Sequence, residues 1–175
     1  LEGYKILPSH VEIVRKKRVE RGRRFVPHVI EPSFGSDRLV YVVLEYAYTK
    51  KGSRTILKIP RDLAPIEVAV LPLVSRDGLP EKAREVHSKL ISEGFLAEYD
   101  ESGSIGRRYA RFDEVGTPIC ITIDYQTLED ETVTLRDRDT WEQVRTEIGR
   151  LPQLLREYFR WEREFKDLGT PYRKP

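Results

Sequence analysis

Apolar residues follow two different patterns along this chain, and the change between them marks its organisation. Positions 25–33 are apolar and β-branched and break at Pro32-Ser33-Phe34-Gly35, which predicts a strand running into a turn. Positions 39–48 are apolar on every side, as in a helix buried within a larger body. Upstream, Val11, Ile13 and Val19 alternate with charge and predict a strand that feeds a turn at 20–22. A Gly-containing turn at 50–53 and a short strand at 55–60 come next, and Pro60 and Pro65 then bracket a linker. A domain boundary is expected there, between a first unit at 1–60 and a second at 61–165.

From position 66 the pattern becomes β-α-β. Positions 66–74 form a nearly unbroken apolar run, as in a strand covered on both faces. Pro80 opens a helix carrying Ala83, Val86, Leu90 and Ile91 at helical spacing, and Gly94 closes it. A strand at 96–99 precedes a helix capped by Ser104, with Ile105, Tyr109 and Phe112 on one face. Strands are predicted at 119–123, at 132–135 after a turn at 129–131, and over Val144, Thr146 and Ile148. Leu151, Leu154, Leu155, Tyr158 and Phe159 mark a last amphipathic helix, and 166–175 reads as a tail, frayed from Gly169. The expected fold class is α/β, a three-layer domain with a mixed, roughly five-stranded sheet.

Composition narrows the function classes. The 175 residues carry 31 Lys+Arg against 29 Asp+Glu, a net charge of +2, so any nucleic-acid binding must come from local patches. The single cysteine, Cys120, excludes an internal disulfide, fits a reducing cytoplasm and is expected in the core. No apolar run approaches a membrane span. Met and Asn are absent and 34% of residues are charged, the hyperthermophile pattern; the missing Met also suggests that Leu1 lies inside a longer chain.

Three sets of residues carry candidate chemistry. Glu31, Ser33, Gly35 and Arg38 meet at the first strand-to-helix junction. Gly35 permits close backbone approach, the helix start favours an anion, and Arg38 suits a phosphate or an adenine face. The same junction also reads as an ordinary turn with Asp37 and Arg38 paired at the surface. The basic run 15–24 could grip a phosphate backbone or form a charged edge that blocks strand pairing. Arg107, Arg108 and Arg111 on the Ser104-capped helix, with Arg136 and Arg138 at a strand end, suit phosphates and unpaired bases; they could equally pair with Asp113, Asp137 and Asp139. His10, His28 and His87 form no ligand set and no metal site is expected.

These residues also carry a resemblance. Pro27-His28-Val29-Ile30-Glu31-Pro32-Ser33-Phe34-Gly35, then Asp37-Arg38, resembles motif 3 of class II aminoacyl-tRNA synthetases, in the Val-Ile-Glu-Pro-Ser form of the glycyl-tRNA synthetases. Gly103-Ser104-Ile105-Gly106-Arg107-Arg108-Tyr109, Thr122-Ile123-Asp124-Tyr125 and Val133-Thr134-Leu135-Arg136-Asp137-Arg138-Asp139 are similar to that family's C-terminal anticodon-binding domain.

The resemblance implies the end of an antiparallel-sheet catalytic domain at 1–60 and an anticodon-binding domain at 61–165. It implies that Glu31, Ser33 and Gly35 line a glycine pocket, and that Gly35, Ser36, Asp37 and the catalytic Arg38 face ATP, which enters with Mg²⁺ as a substrate; no tightly bound prosthetic group is expected. Ser36 departs from the aliphatic residue expected there. Arg107, Arg108, Arg111, Arg136 and Arg138 would contact the anticodon of tRNA(Gly). Motifs 1 and 2 are absent from these residues, so the piece alone is expected to be inactive, with a homodimer formed by the full-length enzyme. A non-catalytic nucleic-acid-binding relative, of the polymerase accessory subunit type, and a free-standing tRNA-binding module are the alternatives.

Overall fold

The computed structural model describes residues 3, 5–19, 22 and 25–172. Tyr4, the turn residues Glu20 and Arg21, Arg23 and Arg24 of the basic run, and 173–175 lie outside the described residues. The chain divides into two units, Leu1–Ser33 and Phe34–Pro175.

In the first unit the described residues contain one short 3₁₀ turn, Pro8–His10, and no strand. The strands expected from Val11, Ile13 and Val19 and from 25–33 are therefore absent among the described residues. Alternating apolar residues specify a strand only when a neighbour accepts its backbone hydrogen bonds, and none does so among the described residues.

The second unit opens with helix α1 (Ser36–Ala47), which runs without a loop into the hairpin β1 (Tyr48–Lys51) and β2 (Arg54–Leu57). Within this chain only Ala47 of α1 is buried. The expected linker is a 3₁₀ turn, Arg61–Leu63. Arg61 is buried, with its guanidinium carbon 4.1 Å from the Tyr158 ring centroid and 3.7 Å from that of Trp161. The contact division falls at Ser33–Phe34, and the hairpin and the turn after it are fastened to the sheet and helices downstream.

The sheet comprises β3 (Val68–Pro72), β4 (Ala97–Tyr99), β5 (Ile119–Ile123), β6 (Thr132–Asp137), β7 (Gln143–Glu147) and β8 (Thr170–Pro171), in the order β4-β3-β5-β6-β7-β8. β3 is parallel to β4 and β5, and the remaining neighbours are antiparallel. The sixth strand lies in the segment expected to be a frayed tail. Phe165 and Leu168, just before it in the chain, are buried, and the strand pairs with the β7 edge.

Helices lie on both faces, so three layers form as expected. Val68, Val70, Ile119, Ile121, Val133 and Leu135 pack against α2 (Leu79–Ser92) and α5 (Leu151–Phe159). Their alternates Ala69, Leu71 and Cys120 meet Phe112 of α3 (Ile105–Val115) on the opposite face. A six-residue helix, α4 (Tyr125–Asp130), occupies the span just after β5. Pattern reading reaches only its end, as a turn, because Asp124 specifies it through a capping box with Thr127 and not through apolar periodicity.

α3 ends at Gly116, where φ is 90° and an added Cβ would lie 2.8 Å from Ile59 Cδ1 and 3.1 Å from the Leu57 carbonyl oxygen. Gly116→Ala is therefore expected to cost about 1–3 kcal/mol in denaturant unfolding. Gly106→Ala, where a methyl group would meet nothing within 4 Å, should leave the midpoint unchanged or raise it. Equal midpoints for the two variants would contradict this packing.

Candidate nucleic-acid interface

The connection from β3 through α2 leads to β4 on one side, whereas the next connection, through α3, returns to β5 on the other. The carboxyl ends of β3 and β5 therefore form a topological switch point, where open α/β sheets present a crevice. A cavity of about 280 Å³ lies there, lined by Ile105 and Tyr109 of α3, Thr122, Asp124 and Tyr125 at the end of β5, and Tyr172 beyond β8, among others. It falls just below the range of about 300–1,000 Å³ typical of drug-sized ligands, a size suited to a single heterocycle. Tyrosine rings, two threonine hydroxyls and the Gln143 amide can stack on and hydrogen-bond a flat polar ring.

The walls are fixed from behind. Tyr109 Oη and Thr122 Oγ1 are 2.6 Å apart. Burial pushes the Tyr109 phenol above its ordinary pKa, so it stays a neutral hydroxyl. Arg145 on β7 holds Asp124 with two bonds of 2.8 and 2.9 Å and also donates to Thr134 Oγ1 at 3.1 Å. Burial would raise the Asp124 pKa, but the Arg145 bonds and charge, with Thr127, outweigh it and hold it below the carboxylate norm. A larger polar cavity, about 620 Å³, adjoins this one and shares Gln126 and Tyr172.

The five arginines expected at the anticodon separate into two groups. Arg108, Arg136 and Arg138 are 1%, 4% and 4% exposed and make their contacts within the fold. Arg108 donates to the carbonyls of Pro72, Asp100 (3.4 Å) and Gly103 (3.0 Å), bracing the loops that leave β3 and β4. Arg136 grips Asp113, itself 0% exposed, through bonds of 2.8 and 3.0 Å. Burial lowers the Arg136 pKa, but the Asp113 bonds and charge more than reverse this. Arg138 donates to the carbonyls of Ile59 and Gly116, both at 2.8 Å, and to Asp139. The ion-pair reading of Asp113 and Asp139 thus holds. Arg107 is exposed, and Arg111 is exposed while bonded to Asp100 and to the Ser102 carbonyl.

Glu31 and Ser33 belong to the first unit and are exposed in chain without regular structure. Gly35 is the N-cap of α1, and Ser36, Asp37 and Arg38 form its exposed first turn. None of the six lines either of the two cavities described above. Among the described residues no group of His, Cys, Asp or Glu could hold a metal ion, and no helix is long and apolar enough to cross a membrane. Gln143 and Tyr172 are not among the residues singled out from sequence, and Asp124 and Tyr125 enter there only as part of the Thr122–Tyr125 resemblance, with no site role. The available signal is the acid immediately after an apolar parallel strand.

The sheet domain is thus a three-layer α/β body with a polar, tyrosine-lined crevice at its switch point. Residues 67–158 match the family described as "Anticodon binding domain", and the chain belongs to that family. It is 55% identical over 170 residues to a "Glycine--tRNA ligase" of Aeropyrum pernix, covering 97% of this chain and 29% of that protein. Proteins of the same name from Archaeoglobus fulgidus and Methanocaldococcus jannaschii are 49% and 50% identical, over 99% and 88% of this chain. The chain spans 29%, 31% and 27% of the lengths of these three curated relatives, in their C-terminal part. Among solved structures, the RNA binding domain of threonyl-tRNA synthetase from Cryptosporidium parvum matches with a TM-score of 0.53 at 25% identity, over 57% of this chain and 25% of that one.

The depressed Asp124 pKa has a stability consequence. Such a carboxylate stabilises the fold above its unfolded pKa, near 3.8, and loses that contribution as pH falls through the lower folded value. Asp124→Asn should thus be destabilised relative to the parent near neutral pH, with the gap closing below about pH 4 in urea unfolding. A gap independent of pH would contradict the Asp124–Arg145 assignment.

Proposed function

We propose that this chain is part of a glycine–tRNA ligase and that its sheet domain reads the anticodon of tRNA(Gly). The carrying observation is the 55% identity to a glycine–tRNA ligase over 97% of the chain. The switch-point cavity supports it, because unpaired RNA bases are recognised by stacking on aromatic faces and by hydrogen bonds to their edges. Tyr109, Tyr125 and Tyr172 supply the faces, and Thr122, Thr134 and Gln143 the edge contacts. Arg107 and Arg111, the two exposed arginines of the expected set, serve the phosphates.

In the same reading the upstream segment belongs to the catalytic domain of the longer protein, a cytoplasmic homodimer. The Glu31 carboxylate takes the glycine ammonium, and Ser33 with Gly35 leaves no room for a side chain, since a smallest substrate is selected by filling the space around it. The first turn of α1, Ser36 to Arg38, faces ATP with its Mg²⁺, and Arg38 neutralises charge as the glycine carboxylate attacks the α-phosphate. The apolar residues Leu39, Val40, Val42 and Leu44, between 44% and 59% exposed, are covered by the rest of that domain.

Filter binding of the 175-residue chain to tRNA(Gly) transcripts tests this. The expected result is preference for the native anticodon, lost in Tyr172→Ala, with Arg107→Ala weakening all tRNAs alike and lowering the salt slope by about one. Glycine-dependent ATP–pyrophosphate exchange is expected from the longer protein and not from these residues alone. Equal affinity for tRNAs with altered anticodons would overturn the anticodon reading.

A further inference from the structure

We propose that Asp113 is a positioning residue that fixes helix α1 relative to the base-reading crevice, by holding the β1–β2 hairpin to the sheet domain. The proposal rests on the functional reading above, in which α1 carries Arg38 and the crevice reads RNA. An unbroken set of contacts joins the two. Tyr109, which lines the crevice, lies under the Arg136 guanidinium at 4.6 Å. Arg136 grips Asp113 through both oxygens, and Asp113 Oδ2 also lies 3.5 Å from Nη1 of Arg54 on β2. β2 is laddered to β1, β1 continues α1 without a loop, and the Lys58 amide donates to the Ala47 carbonyl at the end of α1 at 2.7 Å.

Two further struts hold the hairpin in place. Lys51 Nζ donates to the carbonyls of Asp139 and Thr140 at 3.1 and 3.2 Å and stands 4.1 Å over the Trp141 ring. Arg54 Nη2 reaches the Gly106 carbonyl at 3.4 Å. A hairpin of two four-residue strands has little stability of its own, so its orientation comes from these attachments. Asp113 is the carboxylate that touches both the hairpin arginine and the sheet arginine, and the Trp141 ring stands beside the same two guanidinium groups at 5.4 and 5.7 Å. The consequence is a fixed geometry between the point where an adaptor RNA is read and the helix that faces ATP.

Spin labels test this directly. Cys120 is buried with its thiol pushed up to about 12, so it stays unlabelled, and Tyr46→Cys on α1 with Ser88→Cys on α2 gives one exposed pair. The expected result is a single narrow inter-label distance that broadens when Lys51→Ala and Arg54→Ala are added, with far-UV circular dichroism unchanged. These substitutions leave the buried Arg136–Asp113 pair intact and so preserve the folded domain.

In the full-length protein, Arg54→Ala should lower kcat/KM for tRNA charging about ten-fold while glycine-dependent ATP–pyrophosphate exchange is retained. Arg54→Lys should restore part of the loss. A distance distribution already broad in the parent, or unchanged by the double substitution, overturns the proposal, as does an equal fall in charging and exchange. Absence of exchange in the full-length parent would overturn the ligase reading alone, and the label distances would still decide the rigid connection.

Discussion

A carboxylate with no solvent exposure, Asp113, sits between two guanidinium groups from different parts of the chain. Arg136 comes from the middle of the sheet and Arg54 from the hairpin after α1. A buried ion pair adds little net stability, because desolvation offsets attraction, yet removing one partner leaves an unpaired charge at a cost of about 3–5 kcal/mol. The arrangement is therefore one the fold cannot leave cheaply, and it dictates where the hairpin lies. Gly116 has to lack a side chain for the same reason: the segment after β2 passes within contact distance of the end of α3.

The sheet domain is largely legible from the sequence because its strands are apolar and its helices amphipathic. The uninterrupted run at 119–123 marks β5 with correct bounds, and alternation over Val144, Thr146 and Ile148 identifies β7 against a competing helical reading. Failures come where local pattern is silent. Positions 25–33 have strand composition but no partner strand among the described residues. α4 is set by one capping aspartate, and β8 is fixed by the burial of Phe165 and Leu168 before it.

The arginines carry the sharper lesson. Charge and resemblance direct Arg108, Arg136 and Arg138 to RNA, and the fold bonds all three to carbonyls or carboxylates within the chain. Two signals point inward. Asp113 comes after Ile105 and Tyr109 at intervals of four, which places a carboxylate on the apolar face of α3. Arg136 shares the parity of Thr134 and so faces the same side of the sheet as Cys120 and α3. A carboxylate and an arginine brought into one interior must pair. What remains for a ligand is a crevice made of tyrosines, hydroxyls and amides, with exposed charge at Arg107 and Arg111. That division suits RNA, in which bases specify and phosphates position.

Native-state hydrogen exchange of the hairpin tests the central claim most directly, because exchange resolves which parts of a fold open independently. If the Asp113 junction makes hairpin and sheet one cooperative body, the amides of the β1–β2 ladder should exchange with the same opening free energy as those of the β3–β5 ladder. A hairpin that exchanges through its own low-energy opening, while β3 and β5 stay protected, would contradict the account.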